Sequence, residues 1–205
     1  MAKRAFDIIV SSLALLALAP LMLLLALVIK LDSPGPALFR QVRVGRHGVP
    51  FRIHKFRTMV VDAPQLGPSL TLAKDPRVTR VGRWLRDRRW DELPQLIDVL
   101  QGSMSLVGPR PEVPEYVVQY PQGLREAVLA VRPGITDPAA LAHIDEAQLL
   151  SQATQPEVFY IQHILPAKLQ LQAAYAQRAT VWSDLGILFK TLKVLAWGHR
   201  TQARR

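Results

Sequence analysis

No cysteine occurs among the 205 residues, which excludes a disulfide framework, a thiolate-held zinc and a thiol nucleophile. Acidic residues are scarce as well, since 16 Asp and Glu face 26 Lys and Arg and leave a net charge of +10. So cationic a surface seeks polyanions, whether phosphates, anionic lipid or nucleic acid, and charge alone does not choose among them. There is no glycine-rich phosphate loop, no nucleophile-elbow serine and no metal-spaced histidine pair; the histidines stand singly at His47, His54, His143, His163 and His199. A hydrophobic share of 49% excludes wholesale disorder, and the length suits one catalytic or binding unit rather than two.

What is present begins with an uncharged run from Ile8 to Ile29. As a helix its 22 residues extend ~33 Å, against a hydrocarbon core of ~30 Å. A signal peptide cut after Ala19 is a poor reading, because the apolar run continues well past Pro20 and proline directly after the cut is unusual. The segment is read as a membrane anchor. Lys3 and Arg4 flank one end and Lys30, Arg40 and Arg43 follow the other, so positive charge draws both ends to the cytoplasmic side. Pro20 removes a backbone donor in mid-segment and offers a bend. A bent hairpin on one face and a kinked span both satisfy these residues.

Asp32-Ser33-Pro34-Gly35-Pro36 ends the helix, which divides the chain into an N-terminal membrane segment, 1–33, and a membrane-associated domain, 34–205. Residues 37–44 and 49–56 read as strands joined by Gly45-Arg46-His47-Gly48, a cationic β-hairpin that suits either a membrane-facing surface or phosphate binding. Residues 62–75 read as a loop. Arginine then recurs at 77, 80, 83, 86 and 89, a spacing that spirals around a helix, so some guanidiniums should point inward to an anion or carboxylate; a solvated helix whose arginines pair with Asp75 and Asp87 is the alternative. In Trp90-Asp91-Glu92-Leu93-Pro94-Gln95-Leu96 the spacing is helical again, and Pro94 places the helix start close to Asp91 and Glu92. Capping alone accounts for one of these acids; a bound phosphate at the same positive end is the alternative. Prolines on both sides of Arg110 hold it on extended backbone, as bidentate phosphate recognition favours and as a rigid connector also would.

The ordered set of motifs goes further than spacing. Lys3-Arg4-x-Phe6-Asp7, the apolar segment with Pro20, Gly35-Pro36 with Phe39, Gln41, Arg43 and Gly45, and Lys55-Phe56-Arg57-Thr58-Met59 resemble the bacterial sugar transferases that act on polyprenyl phosphate. Thr79-Arg80-x-Gly82-x-x-Leu85-Arg86, Asp91-Glu92-Leu93-Pro94-Gln95-Leu96, Met104-Ser105-Leu106-Val107-Gly108-Pro109-Arg110-Pro111 and Arg132-Pro133-Gly134-Ile135-Thr136 continue the resemblance in order, covering residues 3–136 strongly and the rest to Leu195 more loosely. It departs at Ala19, where serine is common, at Asp98 and Ser103, and at Asp137-Pro138, where many relatives continue with glycine.

The resemblance implies a monotopic phosphoglycosyl transferase of the inner membrane, with a re-entrant helical hairpin and a cytoplasmic catalytic domain. Such enzymes move a sugar 1-phosphate from a nucleotide diphosphate sugar, commonly a UDP-sugar, to polyprenyl phosphate. Polyprenyl-diphosphate-sugar and UMP result, the first membrane step of glycan and exopolysaccharide assembly, and Mg²⁺ is required. On that reading Asp91 is the nucleophile that forms a phosphosugar-aspartate intermediate, and Glu92 either helps Asp91 hold Mg²⁺ or handles the acceptor's proton. Arg110, Arg86, Lys55 and Arg57 bind phosphate. The expected fold is α+β and mostly helical, with the β-hairpin and interfacial amphipathic helices such as Trp182 to Trp197, which serves equally as a helix packed on the core. Membrane lipids are the remaining partner; no nucleic-acid motif is found and oligomeric state is not legible. The competing reading is a membrane-tethered basic scaffold or anion-binding protein without catalysis.

Overall fold

The computed structural model of the protein describes residues 2–68, 70–72, 75–142 and 146–197, the last two without their side chains. It opens with α1 (Ala2–Asp32), a single helix with Pro20 inside it. No turn interrupts the helix at Pro20, so a re-entrant bend there is a bend within one helix. Proline withdraws only one helical hydrogen bond, and the segments on either side of it are held by separate clusters of the globular part. Phe6, Val10, Ala14 and Leu18 pack against Val99, Met104 and Leu106. Leu21, Leu25 and Ile29 pack against Phe56, Leu85, Trp90 and Leu93. The three- and four-residue spacing of this inward stripe is that of a one-sided helix. Leu13, Leu16, Leu23 and Leu27 lie on the other side and are exposed.

Polar contacts fix both ends of α1 to the same globular unit. At the start, Lys3 donates to the Val107 carbonyl (3.0 Å) and pairs with Asp184, Arg4 donates to the Val99 and Leu100 carbonyls, and the buried Asp7 accepts from Ser105 Oγ (2.9 Å) and the Leu106 N–H. At the finish, Asp32 accepts from the Val81 N–H (3.2 Å), and Arg57 donates to the carbonyls of Ser33 (2.8 Å) and Pro34. Those carbonyls lie just past the last turn of α1, where the chain leaves the helix and offers no helical partner.

The strands β1 (Leu38–Val44) and β2 (Pro50–Phe56) form the expected antiparallel hairpin, in register from Leu38 opposite Phe56 to Val44 opposite Pro50. Its turn places His47 and Gly48 in the left-handed region, at φ 58° and 79°. After the short α2 (Ala63–Leu66) comes α3 (Arg80–Asp87), shorter than the arginine repeat suggested because Thr79 caps it through Gly82 N–H at 2.9 Å. Gly82 lies so close to β2's continuation that a Cβ there would stand 2.1 Å from the Thr58 carbonyl oxygen. A 3₁₀ turn (Trp90–Glu92) precedes α4 (Gln95–Gln101).

The remainder is helical apart from two three-residue strands, β3 (Ser105–Val107) and β4 (Gly134–Thr136), which pair in parallel. Between them run α5 (Pro114–Val117) and α6 (Gln122–Leu129). Then follow α7 (Pro138–Ala142), α8 (Glu146–Gln152) and α9 (Pro156–Phe159), the last running through a π turn (Tyr160–Ile164) into α10 (Leu165–Arg178). These helices enclose a core of Val113, Tyr116, Leu150, Tyr160, Leu165 and Leu169. The closing α11 (Val181–Trp197) packs Ile187 and Leu188 inward and leaves Trp182 and Phe189 82% and 70% exposed, so packing on the core accounts for only one of its faces. The architecture is the expected mostly helical α+β arrangement.

Candidate active site

Four segments bring charged groups to one cavity of about 840 Å³. Lys55 comes from the end of β2 and Arg86 from the last turn of α3, where its Nε donates to Thr58 Oγ1 at 2.8 Å. Beyond α3 the chain reverses at Arg89, which adopts a left-handed conformation (φ 54°, ψ 23°) uncommon for a side chain of its size. The reversal folds Trp90 edge-on against Trp84, with ring centres 5.0 Å apart, and packs the half-buried Leu93 against the cluster that holds Leu25 and Ile29 of α1. Asp91 and Glu92 lie between these two apolar anchors and line the cavity. The expected helix start is corrected here: α4 begins only at Gln95, after Pro94, and a turn clamped on both sides carries the two acids.

Arg110 follows β3. The crossing of its segment over β4 is so close that a Cβ on Gly134 would lie 2.0 Å from the Gly108 nitrogen, which explains glycine at both positions. The Arg110 N–H donates to the buried carboxylate of Asp137 (2.8 Å), which also accepts from Gln172 Nε2 (2.7 Å). Asp137, a departure from the usual pattern, thus ties the Arg110 backbone to α10.

The side chains assign different tasks to the two acids. Glu92 Oε1 accepts from Lys55 Nζ (2.9 Å) and from Arg110, and its Oε2 accepts from Arg110 Nη1 (3.3 Å). Among the described residues Asp91 accepts no hydrogen bond and has no ion pair within 4 Å. Burial alone would raise the Glu92 pKa, but the Arg110 guanidinium and Lys55 ammonium outweigh it and hold that carboxyl well below the usual range. For Asp91 burial wins: its pKa is raised, with Lys55 opposing and Glu92 adding to the rise. Its ionisation therefore depends on the cations facing it and does not follow from an ordinary aspartate value. Burial lowers the pKa of Lys55 and Arg86, whereas the charge of Glu92 raises that of Arg110.

Of the residues singled out in the sequence, Lys55, Arg86, Asp91, Glu92 and Arg110 meet at this cavity. Arg57 also borders it, but its guanidinium turns onto the carbonyls at the end of α1, so it serves there as a helix-end clamp. Pro20 lies exposed in mid-helix. Arg77, in the same arginine series, pairs with Asp75 and donates to the Ala63, Pro68 and Leu70 carbonyls, while Arg80 and Arg83 point outward. His54 pairs with Asp98 (2.7 Å), joining β2 to α4; His143 and His199 lie outside the described residues. Residues the sequence did not mark as a site also line the cavity: Arg89, Arg43, Glu112, Tyr160 and Lys168. Arg43 stood within a recognised motif and Glu112 directly follows one, but nothing adjacent to Lys168 signals its role.

No group of three or more His, Cys, Asp or Glu side chains among the described residues could hold a metal. Mg²⁺ commonly needs only one or two carboxylates when substrate phosphates and waters complete its shell. Asp91 and Glu92 fit that requirement, Asp91 with uncommitted oxygens and Glu92 by exchanging one of its cationic partners.

A family model for bacterial sugar transferases matches residues 1–198. The chain is 42% identical over 197 residues to an undecaprenyl-phosphate glucose phosphotransferase of Komagataeibacter xylinus, covering 93% of this chain and 35% of that one. It is 38% identical over 198 residues to a UDP-N-acetylgalactosamine-undecaprenyl-phosphate N-acetylgalactosaminephosphotransferase of Aeromonas hydrophila, covering 96% and 44%. Similarity to a UDP-glucose:undecaprenyl-phosphate glucose-1-phosphate transferase of Caulobacter vibrioides is 40% over 210 residues, covering 94% and 69%. The chain thus spans less than half the length of the first two. With Lys55, Arg86, Asp91, Glu92 and Arg110 gathered at one cavity and a matching family model over residues 1–198, this chain belongs to the bacterial sugar transferase family.

Proposed function

We propose that the protein transfers a sugar 1-phosphate from a UDP-sugar to polyprenyl phosphate, with Asp91 as the nucleophile. The observation that carries this reading is the asymmetry of the acid pair: Glu92 is locked between Lys55 and Arg110, and Asp91 beside it is uncommitted. An Asp91 carboxylate oxygen attacks the sugar-proximal phosphorus, the bond to the bridging oxygen breaks, and that oxygen leaves with UMP. An oxygen of polyprenyl phosphate then attacks the same phosphorus and returns Asp91 to its carboxylate. Arg110, Arg86, Lys55 and Arg89 orient the phosphates and offset charge on the equatorial oxygens, which is most of what phosphoryl transfer asks of a protein. Asp91 and Glu92 would be the residues to hold Mg²⁺, which when bound would supply further neutralisation of phosphate charge.

The membrane part of the reading rests on α1. It is long and apolar enough to cross a bilayer, yet both its ends are bonded to one globular unit. A segment so tethered enters and leaves the membrane on one side, the cytoplasmic side by its flanking Lys3, Arg4 and Lys30. The exposed Trp182, Phe189 and Leu192 of α11, beside Lys190 and Lys193, suit the same interface. The cavity borders Pro36, Leu38 and Phe39 just beyond α1, where a lipid phosphate at headgroup level reaches the acids without leaving the membrane.

The deciding experiment measures UMP release from UDP-glucose, UDP-galactose and UDP-N-acetylgalactosamine by nanodisc-held protein with Mg²⁺, with and without polyprenyl phosphate. Lipid-linked product with wild type, and a loss of at least about 10³-fold with Asp91→Asn, is the expected result. Unchanged turnover by Asp91→Asn would remove Asp91 from the mechanism, and no turnover of any donor by folded wild type would return the chain to the binding-protein reading.

A further inference from the structure

The catalytic acids and their cations occupy only one wall of the cavity. Another is built by α8, the π turn and α10, with Glu112 at its edge, and carries a second polar cluster remote from the acid pair in sequence. Lys168 Nζ lies 3.1 Å from Glu146 Oε2, 3.5 Å from Glu112 Oε1 and 3.2 Å from the Tyr160 hydroxyl, which itself donates to Glu112 at 2.7 Å. Glu112, Glu146, Tyr160 and Lys168 all line the cavity that holds Asp91. The cluster is not fully satisfied: among the described residues Glu112 Oε2 accepts no hydrogen bond, its nearest cation being Arg43 at 3.6 Å, and the buried Arg43 Nε has no partner.

We infer that this wall is the subsite for the sugar of the nucleotide-sugar donor, with Glu112, Lys168 and Glu146 binding its hydroxyl groups. The inference rests on the transfer reaction proposed above. Three observations carry it. First, the two walls differ in charge. Lys55, Arg86, Arg89 and Arg110 suit phosphate, whereas on the other wall Glu112 and Glu146 offset Lys168 and Arg43, which leaves no net positive charge to hold a phosphate and suits a neutral ligand rich in hydroxyls, which carboxylates accept from and the cations donate to. Second, Arg110 and Glu112 lie two residues apart in a segment held extended by Pro109 and Pro111, so their side chains leave the same face of the chain, and both border the cavity. Two extended residues advance roughly 6.6 Å, a step that takes a phosphate seated on Arg110 to the ring of the sugar it carries. Third, the apolar border at Pro36, Leu38 and Phe39 adjoins the end of α1 and suits the lipid acceptor, which leaves the buried polar wall for the donor's sugar.

The test uses full-length protein in nanodiscs, with Glu146→Gln and Lys168→Met beside wild type, and reads the KM of each of the three UDP-sugars, the ranking of their kcat/KM values and the inhibition constant of UMP. The variants are expected to raise the KM of the accepted donor at least about tenfold and to alter the ranking among sugars, with UMP inhibition changed less than about twofold, since loss of a charged hydrogen bond is felt only where the sugar is present. Glu146 is only partly buried, so Glu146→Gln keeps the test decisive if Lys168→Met fails to fold. Unchanged KM and ranking in a folded Glu146→Gln variant overturn the sugar subsite while leaving the transferase reading intact. A parallel loss of UMP affinity also overturns it, assigning the wall to the nucleotide or to general packing. Wild type inert toward every donor removes the transferase reading and this subsite together.

Discussion

Asp91 and Glu92 are neighbours in sequence with the same charge, and their surroundings separate them. Glu92 is the charge around which Lys55 and Arg110 assemble, whereas Asp91 is buried beside those cations without a direct bond to any of them. Burial raises the Asp91 pKa, so the folded protein binds this proton more tightly than the unfolded chain. Ionising Asp91 therefore costs stability as pH rises from the unfolded value of ~3.9 through the folded one. Two outcomes follow, one for a variant and one for wild type. Asp91→Asn, which carries no charge, unfolds at a higher temperature than wild type at pH 7 and loses that advantage near pH 4; calorimetry at both pH values measures it. The acid limb of the wild-type pH–rate profile falls at a pH above that of a solvated aspartate, since only the carboxylate attacks. A limb at or below the ordinary value, or an Asn variant no more stable at pH 7, would contradict the burial argument.

At the scale of elements, the long apolar helix α1 is also a structural beam for the part of the fold that carries the site. Leu25 and Ile29, toward the end of α1, share an apolar cluster with Trp90 and Leu93, which flank the turn that bears Asp91. Arg57 holds that end by spreading one guanidinium over the Ser33 and Pro34 carbonyls. Lysine keeps the charge but lacks the planar fork. Arg57→Lys is accordingly expected to lose about 1–3 kcal/mol in thermal or chemical unfolding, with the donor KM of the folded fraction unchanged. A raised KM with unaltered stability would restore Arg57 to phosphate binding. The same comparison shows where the sequence was informative. The hairpin was legible because Gly45 and Gly48 punctuate two β-rich runs, and the inward arginines because a three-residue repeat cannot keep to one helix face. The parallel pairing of β3 and β4 was not, since three-residue strands show no periodicity. Nor was the division between Asp91 and Glu92, which depends on Arg110 and Lys55 arriving from 18 and 37 residues away. Lys168 joins the cavity wall only through the packing of α10, so no local motif could mark it.

For the whole molecule, the decisive property is that one unit grips both ends of its apolar helix. A kinked span through the bilayer would put Lys3 and Asp32 on opposite sides of ~30 Å of hydrocarbon, yet Lys3 bonds to Val107 and Asp184, and Asp32 to Val81, within a single fold. Separating them would cost the Lys3 and Arg4 contacts and the buried Asp7 pair with Ser105, and would expose the stripe from Phe6 to Leu18. The natural absence of cysteine makes this directly measurable. Ala5 and Lys30 are exposed near the two ends, and Leu16 is exposed in the middle. Single variants Ala5→Cys, Lys30→Cys and Leu16→Cys, in sealed membrane vesicles of known orientation, are treated with a membrane-impermeant maleimide. Ala5→Cys and Lys30→Cys are expected to label together when the cytoplasmic face is outward and to be protected together when it is inward, while Leu16→Cys, in lipid, labels in neither until detergent is added. Opposite accessibility of the two ends would mean that the helix spans the bilayer, and the globular unit could not then hold both.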